Sequence, residues 1–542
     1  MKKYFIFIGI LCLSFLFRII HLDKTGGLWY DEATIYSIAS QAGISGMFNA
    51  DSHRFLLFPL YYLIYHCWIN LFGNSDIIIR FMSVFFDMLA IITAFFTGKE
   101  LGKFINKDSA KVGFCYMALY GINSTFIYYA QEAKFYSLTF FLINLVLIFW
   151  LKFLRSNSNK NLYILPLLNI TLLLTYTSQI LFILLLFFAT IFYMLKNKEL
   201  KTFQISILSI SFLPAIIFST LFKSYYSGNF DAVTYDNSFI LLAIQNWFSP
   251  LLAGLQNNIP QYNIHLLNNI FNIQLWIFVI FPVSFILYAI INSLKNYKIT
   301  RYIFSIGILY VIIHICLTVF SNHYTVLVRY TLPILPLLLL TASAWIELKK
   351  KILISLYIIV NIFAIISITG APNIPRPDGY KVIADTLKAE NISPNFNYIL
   401  PIRTNLLDKY FNIQGKRISL YILNSVEAQQ TYLNKEEINN PNKYQKLQRF
   451  LCDENISKEF ENYVYNNFIS NNNLILLKDN SITMFSNEQI KAIVNSENYQ
   501  QYPIQFLQLS KLNNDLITIL SKKMHIKQIY RINNWEIFIF EI

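Results

Sequence analysis

Repeated apolar runs of about 18 or more residues constrain this chain most, because a run of that length crosses the hydrocarbon of a bilayer as one helix. The composition agrees: 55% of the 542 residues are hydrophobic and only 14% charged, too apolar for an ordinary soluble protein. The first run, from about Tyr4 to Ile20, follows Lys2 and Lys3. It resembles a signal peptide. No small-x-small cleavage site follows it and many more runs do, so it reads as a retained first helix. Lys and Arg collect in cytoplasmic loops. Lys2 and Lys3 therefore set the start of the helix inside, and Asp31 and Glu32 beyond it face outside.

The same rule orders the rest. Residues 31–44 are predicted as a short helix along the outer leaflet. Phe55–Phe72, which contains Pro59 and His66 and is closed by Gly73, is only marginally long enough to span. Ile77–Thr97 is followed by Lys99, Lys103, Lys107 and Lys111, so it ends inside and starts outside, at Asp76 and Arg80. Phe55–Phe72 must then return to the side it left, as an interfacial or re-entrant helix. Val112–Ala130, Phe135–Leu154, Leu162–Tyr176, Ile180–Leu195, Phe203–Phe222, Ile273–Ile291, Ile303–Phe320, Tyr330–Ile346 and Leu353–Thr369 alternate so that every basic loop falls inside. The total is about eleven spans, with the C-terminus outside. An outer loop over about 223–270 is nearly free of Lys and holds Asp231, Asp236, Trp247 and His265.

After residues 1–370 the composition changes. Pro372, Pro375 and Pro377 mark a linker over 371–377. Residues 378–542 are polar, Asn-rich and long enough for one small domain. Short β-like runs at Tyr398–Pro401, Ile418–Leu423, Leu474–Leu477, Ile482–Phe485 and Ile537–Ile542 alternate with helix-like stretches such as Tyr380–Ala389 and Lys443–Phe450. They predict an external mixed α/β domain.

The net charge of +14 does not require nucleic acid, because cytoplasmic loops account for it and no basic aromatic platform is present. Cys12, Cys67, Cys115, Cys316 and Cys452 show no Cys-x-x-Cys spacing, and all but Cys452 lie in apolar segments. Neither a disulfide framework nor a zinc site follows.

This topology gathers polar groups at the outer face. They are Asp31 and Glu32; Asp51, His53 and Arg54; Asp76 and Arg80; Gln131, Glu132, Lys134 and Tyr136; and His323, Arg329 and Tyr330. Carboxylates and cations at one face of a bilayer suit a substrate with an anionic headgroup and a lipid tail. Arg329 and Lys134 can bind a phosphate. Asp31 can take a proton from an attacking hydroxyl. Trp29 and Tyr30 suit the membrane–water boundary and set the Asp-Glu pair there. Asp87, well inside a helix, reads as a satisfied interhelical hydrogen bond. His66 and His314 read as packed residues, and His21 as snorkelling at the end of the first helix.

These residues carry a resemblance. Trp29-Tyr-Asp-Glu after the first helix resembles the Asp-Glu motif of polytopic sugar transferases of the GT-C fold. Pro59-Leu-Tyr-Tyr-Leu, then Trp68, then Leu71-Phe-Gly-Asn-Ser-Asp and Arg80, is similar to their Pro-Leu-Tyr-Tyr … Trp … Phe-Gly … Arg block. Tyr128-Tyr-Ala-Gln-Glu-Ala-Lys-Phe-Tyr136 resembles their Tyr-Ser-Arg-Glu-Ala-Arg-Met-Tyr segment, with Lys134 where Arg is commoner. Arg329-Tyr-Thr-Leu-Pro-Ile-Leu-Pro336 resembles their late Arg-Tyr-x-x-Pro-x-x-Pro helix. The group includes glycosyltransferase family 39, whose relatives are protein O-mannosyltransferases, lipid A aminoarabinose transferases and lipopolysaccharide-core sugar transferases.

The resemblance covers roughly residues 1–370. It implies a GT-C membrane domain in the cytoplasmic (inner) membrane with its site on the periplasmic side. It implies a polyprenyl-phosphate sugar donor, a lipid A, lipopolysaccharide-core, other glycan or protein hydroxyl as acceptor, and inversion at the anomeric carbon. Asp31 becomes the catalytic base, and Glu32 orients it or helps bind the acceptor. Arg80, Gln131, Glu132, Lys134, Tyr136, Arg329 and Tyr330 become donor- or substrate-binding residues, with Arg80 and Arg329 on the donor phosphate. The resemblance fixes no cofactor and leaves a divalent metal ion open, with His53 as its candidate ligand. Beyond membrane lipids, donor and acceptor, no partner is implied. The competing function is a secondary transporter or flippase of lipid-linked sugars. Such proteins place polar groups near the midplane and often carry internal repeats, neither of which is evident here. An envelope scaffold needs no charge near Asp31, and a polymerase or ligase is expected to lack the Asp-Glu motif after the first helix.

Overall fold

The computed structural model describes residues 2–20, 22–23, 27–214, 216–217, 281–321, 332–346, 359, 380–400, 407, 409–415, 417–419, 461, 465, 473–479, 486–494, 504–532 and 535–541. Two compact units emerge. The described residues of Met1–Asp23, Ile38–Ala232 and Asn237–Pro372 form the first, and those of Lys24–Ser37 and Asn373–Ile542 belong to the second.

The helices, in chain order, are α1 (Lys2–Ile19), α2 (Tyr30–Ala39), α3 (Gly43–Ala50), α4 (Ser52–Leu57), α5 (Pro59–Phe72), α6 (Asp76–Phe104), α7 (Ser109–Gly121), α8 (Ser124–Ala130), α9 (Tyr136–Ser156), α10 (Asn159–Thr175), α11 (Ile180–Lys196), α12 (Thr202–Ser209), α13 (Phe281–Asn296), α14 (Lys298–Ser321), α15 (Ile334–Ser343), α16 (Tyr380–Ala389), α17 (Asn487–Val494) and α18 (Ile504–Lys523). Among the described residues, Asp76–Phe104, Tyr136–Ser156, Thr177–Lys196 and Lys298–Cys316 are long and apolar enough to cross a membrane. The chain is a multi-pass α-helical membrane protein.

Two apolar runs that read as continuous are broken. In Phe55–Phe72, Pro59 opens α5 at its first position, where its missing N–H costs nothing. The resulting helix is about 21 Å long, shorter than a hydrocarbon core of about 30 Å. In Val112–Ala130, Asn123 accepts hydrogen bonds from Thr125 N at 3.0 Å and Phe126 N at 3.4 Å. It thereby caps α8 and separates it from α7. The predicted span Leu353–Thr369 lies outside the described residues, apart from residue 359, as do the loop 223–270 and most of the C-terminal half of Phe203–Phe222.

The long helix α6 organises the first unit. Gly98 and Gly102 on α6 face α7 so closely that a Cβ on Gly98 would lie 2.8 Å from Val112 O and 2.9 Å from Gly113 Cα, and one on Gly102 would lie 2.6 Å from Ser109 Cα. Small residues four apart let two backbones approach inside a bilayer, where packing rather than water exclusion drives association. Polar side chains add links. Tyr116 Oη donates to Asn144 Oδ1 at 2.9 Å and Thr97 Oγ1 to Asn144 O at 3.2 Å, tying α7 and α6 to α9. Trp150 Nε1 donates to Thr190 Oγ1 at 2.8 Å, tying α9 to α11. Asn157 ends α9 in the left-handed region, at φ 48°.

The second unit carries a five-stranded sheet in the order β2-β1-β3-β5-β4. The strands are β1 (Asn397–Leu400), β2 (Arg417–Ser419), β3 (Leu474–Asp479), β4 (His525–Ile532) and β5 (Trp535–Glu541). β1 pairs in parallel with β2 and β3; β3–β5 and β4–β5 are antiparallel. Tyr398, Ile399, Leu474–Leu477 and Ile537–Phe540 form its buried core. β1, β2, β3 and β5 answer to expected β-like runs. β4 does not, and the run Ile482–Phe485 lies outside the described residues, as does Lys443–Phe450.

Candidate functional site

The Asp-Glu pair opens α2, in the second unit. Trp29 immediately precedes the helix, and its backbone N–H donates to Glu32 Oε2 at 3.4 Å. This is one half of a capping box, in which the third helical residue ties back to the residue before the helix. Trp29 O in turn accepts from Ala33 N at 2.8 Å. Two acids in the first turn also complement the helix dipole. The neighbours differ in environment. Glu32 is fully buried (0% exposed) while Asp31 is half-buried. A buried carboxylate is costly unless hydrogen-bonded, and at the helix start the Trp29 amide supplies such a bond to Glu32. Asp31, one residue earlier, keeps access to solvent.

Gly27 and Leu28 precede this turn, and both are buried. Leu28 N donates to Tyr410 Oη at 2.8 Å. Lys409 Nζ stands 4.7 Å from the centroid of the Tyr36 ring and 5.3 Å from that of Tyr410, within cation–π range.

Arg80, Gln131, Glu132, Lys134 and Tyr136 are all buried and all lie in the first unit. Arg80, on the first turns of α6, donates from Nη1 to Leu22 O at 3.3 Å. Gln131 follows α8, and its Nε2 donates to Phe17 O at 3.3 Å, Arg18 O at 3.3 Å and Ile20 O at 2.8 Å. It satisfies carbonyls at the C-terminal end of α1 that have no partner within the helix. Arg80 and Gln131 thus meet the same short stretch of chain. Ser83, one turn beyond Arg80, donates from Oγ to Lys134 O at 3.3 Å, which joins the loop 131–135 to the same face of α6.

Lys134 Nζ is 4.0 Å from Glu132 Oε2, with side chains 5% and 2% exposed, and 5.5 Å from the Tyr136 ring centroid. Phe58 stacks on Phe135 at 4.3 Å, and Tyr61 meets Phe135 edge-on at 6.0 Å. The Pro59-Leu-Tyr-Tyr block and the Gln131–Tyr136 segment are therefore in contact. The first unit thus buries two cations, Arg80 and Lys134, with the Glu132 carboxylate beside Lys134.

Asp87 is satisfied, as the sequence suggests, but by an ion pair. Arg18 Nε pairs with Asp87 Oδ2, and Tyr120 Oη donates to Asp87 Oδ1 at 3.0 Å. Arg18 Nη1 also donates to Ser14 O and Gly121 O, both at 2.9 Å. The sequence reading passed over Arg18. A lone Arg inside an apolar run needs a counter-charge, and Asp87 supplies it. His66 contacts Ala39 O at 2.7 Å and Asn70 Nδ2 at 3.0 Å, a packed residue as expected. Arg329, Tyr330, His323 and His21 lie outside the described residues, as does the side chain of His53. Among the described residues no three His, Cys, Asp or Glu side chains converge as a metal site.

No protein-family model matches the chain, and no curated protein matches it. Solved structures do. The chain is similar to ArnT from Cupriavidus metallidurans in the apo state, at 10% identity and a TM-score of 0.45 over 98% of this chain and 97% of that one. The same protein bound to undecaprenyl phosphate gives 10% and 0.44 over the same shares. The Archaeoglobus fulgidus oligosaccharyltransferase in complex with Zn and sulfate gives 12% and 0.47 over 88% of this chain and 68% of that one. Likenesses of this size assign no residue.

Proposed function

We propose that the chain is a membrane glycosyltransferase of the GT-C type. It would move a sugar from a polyprenyl-phosphate donor to a hydroxyl of a cell-envelope acceptor. The observation that carries the reading is the split within the Asp-Glu pair: Glu32 is buried and tied to Trp29 N, while Asp31 on the same turn keeps solvent access. In this reading Glu32 supports the turn that presents Asp31.

In this reading the acceptor oxygen attacks the anomeric carbon as the bond from that carbon to the phosphate oxygen breaks. Asp31 takes the hydroxyl proton, and the electron pair leaves with polyprenyl phosphate. A single displacement inverts the anomeric centre. Arg80 and Lys134 stabilise the departing phosphate through charge-assisted hydrogen bonds. Glu132 keeps Lys134 directed, and Tyr136 with the Tyr61–Tyr65 aromatics borders the lipid-linked substrate. Gln131 holds the end of α1 against this group. Arg329 and Tyr330 join as donor-binding residues on the strength of their motif. Residues 1–370 are the catalytic domain, 371–377 the linker and 378–542 an external domain. The site faces the periplasmic side of the inner membrane. His53 is the candidate ligand if a divalent metal ion takes part.

The test is transfer itself. Purified protein in proteoliposomes is given labelled polyprenyl-phosphate sugars and an envelope acceptor fraction. Label moving to the acceptor, with release of polyprenyl phosphate, supports the reading. Label that crosses the bilayer still attached to its lipid, with no transfer to any acceptor, makes the chain a flippase instead.

A further inference from the structure

The second unit does more than carry a sheet. It holds the chain just before Asp31. Gly27 has φ +80°, a left-handed backbone, and a Cβ added there would lie 2.6 Å from Lys381 Cβ and 2.8 Å from Tyr410 Oη. The approach is closer than any side chain permits, so only glycine fits this seat. One residue on, Leu28 N donates to Tyr410 Oη at 2.8 Å. Leu28 is fully buried, and its amide would otherwise lack the protection of this bond.

Tyr410 is itself fixed. Tyr410 N and Phe411 N both donate to Leu407 O, at 3.0 and 2.9 Å. The Phe411 ring sits 6.0 Å from that of Tyr398, on the interior strand β1. Leu407, Phe411 and Ile413 are buried. Lys381 lies on α16, whose Ile383, Ala384 and Leu387 are buried. Side chains packed on the sheet and on α16 therefore grip residues 27–28, and the gripped segment runs directly into the turn that bears Asp31 and Glu32.

We propose that Tyr410, from the C-terminal part of the chain, is a positioning residue for the Asp31–Glu32 turn, with Gly27 as the seat it requires. This rests on the reading of Asp31 as the base. Tyr410 does not touch substrate. Its hydroxyl fixes the start of α2, so the carboxylate of Asp31 is presented in one orientation, and misplacement by about 1 Å is enough to lower turnover.

The experiment uses the full chain in lipid nanodiscs and two readouts. The first is amide hydrogen exchange over residues 27–39, which needs no substrate. The second is sugar transfer resolved into kcat and KM. Tyr410→Phe removes only the hydroxyl. It should speed exchange over 27–39 about fivefold and lower kcat about five- to tenfold, with the donor KM within about twofold of wild type. Gly27→Ala should act in the same direction. Tyr530→Phe removes a hydroxyl bonded to Glu390 at 2.7 Å elsewhere in the same unit and should leave both readouts unchanged. Unchanged exchange in Tyr410→Phe and Gly27→Ala overturns the grip. Faster exchange with unchanged kcat overturns the positioning role. If the wild type transfers no sugar, the transferase reading falls, and with it any role in catalysis, whereas the exchange readout still decides the grip on its own.

Discussion

Arg18 on α1 and Asp87 on α6 form an ion pair in which neither side chain is exposed (0% for both). Tyr120 on α7 completes it through Asp87 Oδ1. Three helices are tied at one point, about 16 Å along α6 from its start. Removing one partner strands the other charge in a low-dielectric interior, which costs about 3–5 kcal/mol. Arg18→Met and Asp87→Leu should therefore each lower the melting temperature in detergent sharply. The double variant, with no charge to strand, should recover most of the loss. Single variants that melt like wild type would show that the pair does not form.

The approach of α6 to α7 is set by glycine. Gly98→Leu should be destabilising by about 1–3 kcal/mol, the range for overpacking a close contact, because the side chain would collide with Val112 O and Gly113. Gly9 has nothing within 4 Å of its Cβ position, so Gly9→Leu should be near neutral. Thermal unfolding of both variants, monitored by intrinsic fluorescence, makes the comparison.

Neighbours in one loop should separate by function. Gln131→Leu strips the partner from three carbonyls at the end of α1 and should cost about 1 kcal/mol of stability. Lys134→Met removes a buried cation from the proposed phosphate site. It should raise the donor KM or lower kcat/KM about tenfold or more, in keeping with the loss of a charge-assisted contact. Kinetics and melting on the same preparations test this. Equal effects of the two variants on kcat/KM would remove the distinction.

Lys134→Arg is a finer probe. Arg is planar and bidentate toward phosphate where Lys is a point charge, but Lys134 sits 5% exposed beside Glu132 and Tyr136. The larger guanidinium must displace these neighbours. The expected outcome is reduced activity relative to Lys134, measured as kcat/KM with one donor; a gain would mean that the pocket is roomier than its burial implies.

The helices were legible because apolar length and basic loops act over short ranges of sequence. Their breaks were less so. Asn123 interrupts an apolar run, and what starts a new helix there is two hydrogen bonds accepted by its side chain, a local event that a hydropathy reading averages away. Strand β4 was missed for a related reason. His525–Ile532 lies at the sheet edge, and a register shift between Ile526 and Gln528 breaks its period-two pattern. The Asp31–Glu32 turn and the Gln131–Tyr136 segment stood out as motifs. Their supports did not. Leu28 and Tyr410 are 382 residues apart, and nothing in either neighbourhood announces the other. Arg18 was visible as a charge in an apolar helix, but its meaning depended on pairing it with Asp87, 69 residues away.

The central claim is that Asp31 is the base and Glu32 its support. The most direct measurement is transfer from a labelled polyprenyl-phosphate sugar by wild type, Asp31→Asn and Glu32→Gln at matched protein levels in membranes. Loss of a general base typically costs about 10²–10⁴-fold in rate. Asp31→Asn should fall in that range while folding normally, and Glu32→Gln should lose less activity but more stability, because its carboxylate is buried at the start of α2. Asp31→Asn that transfers sugar as fast as wild type would contradict the assignment.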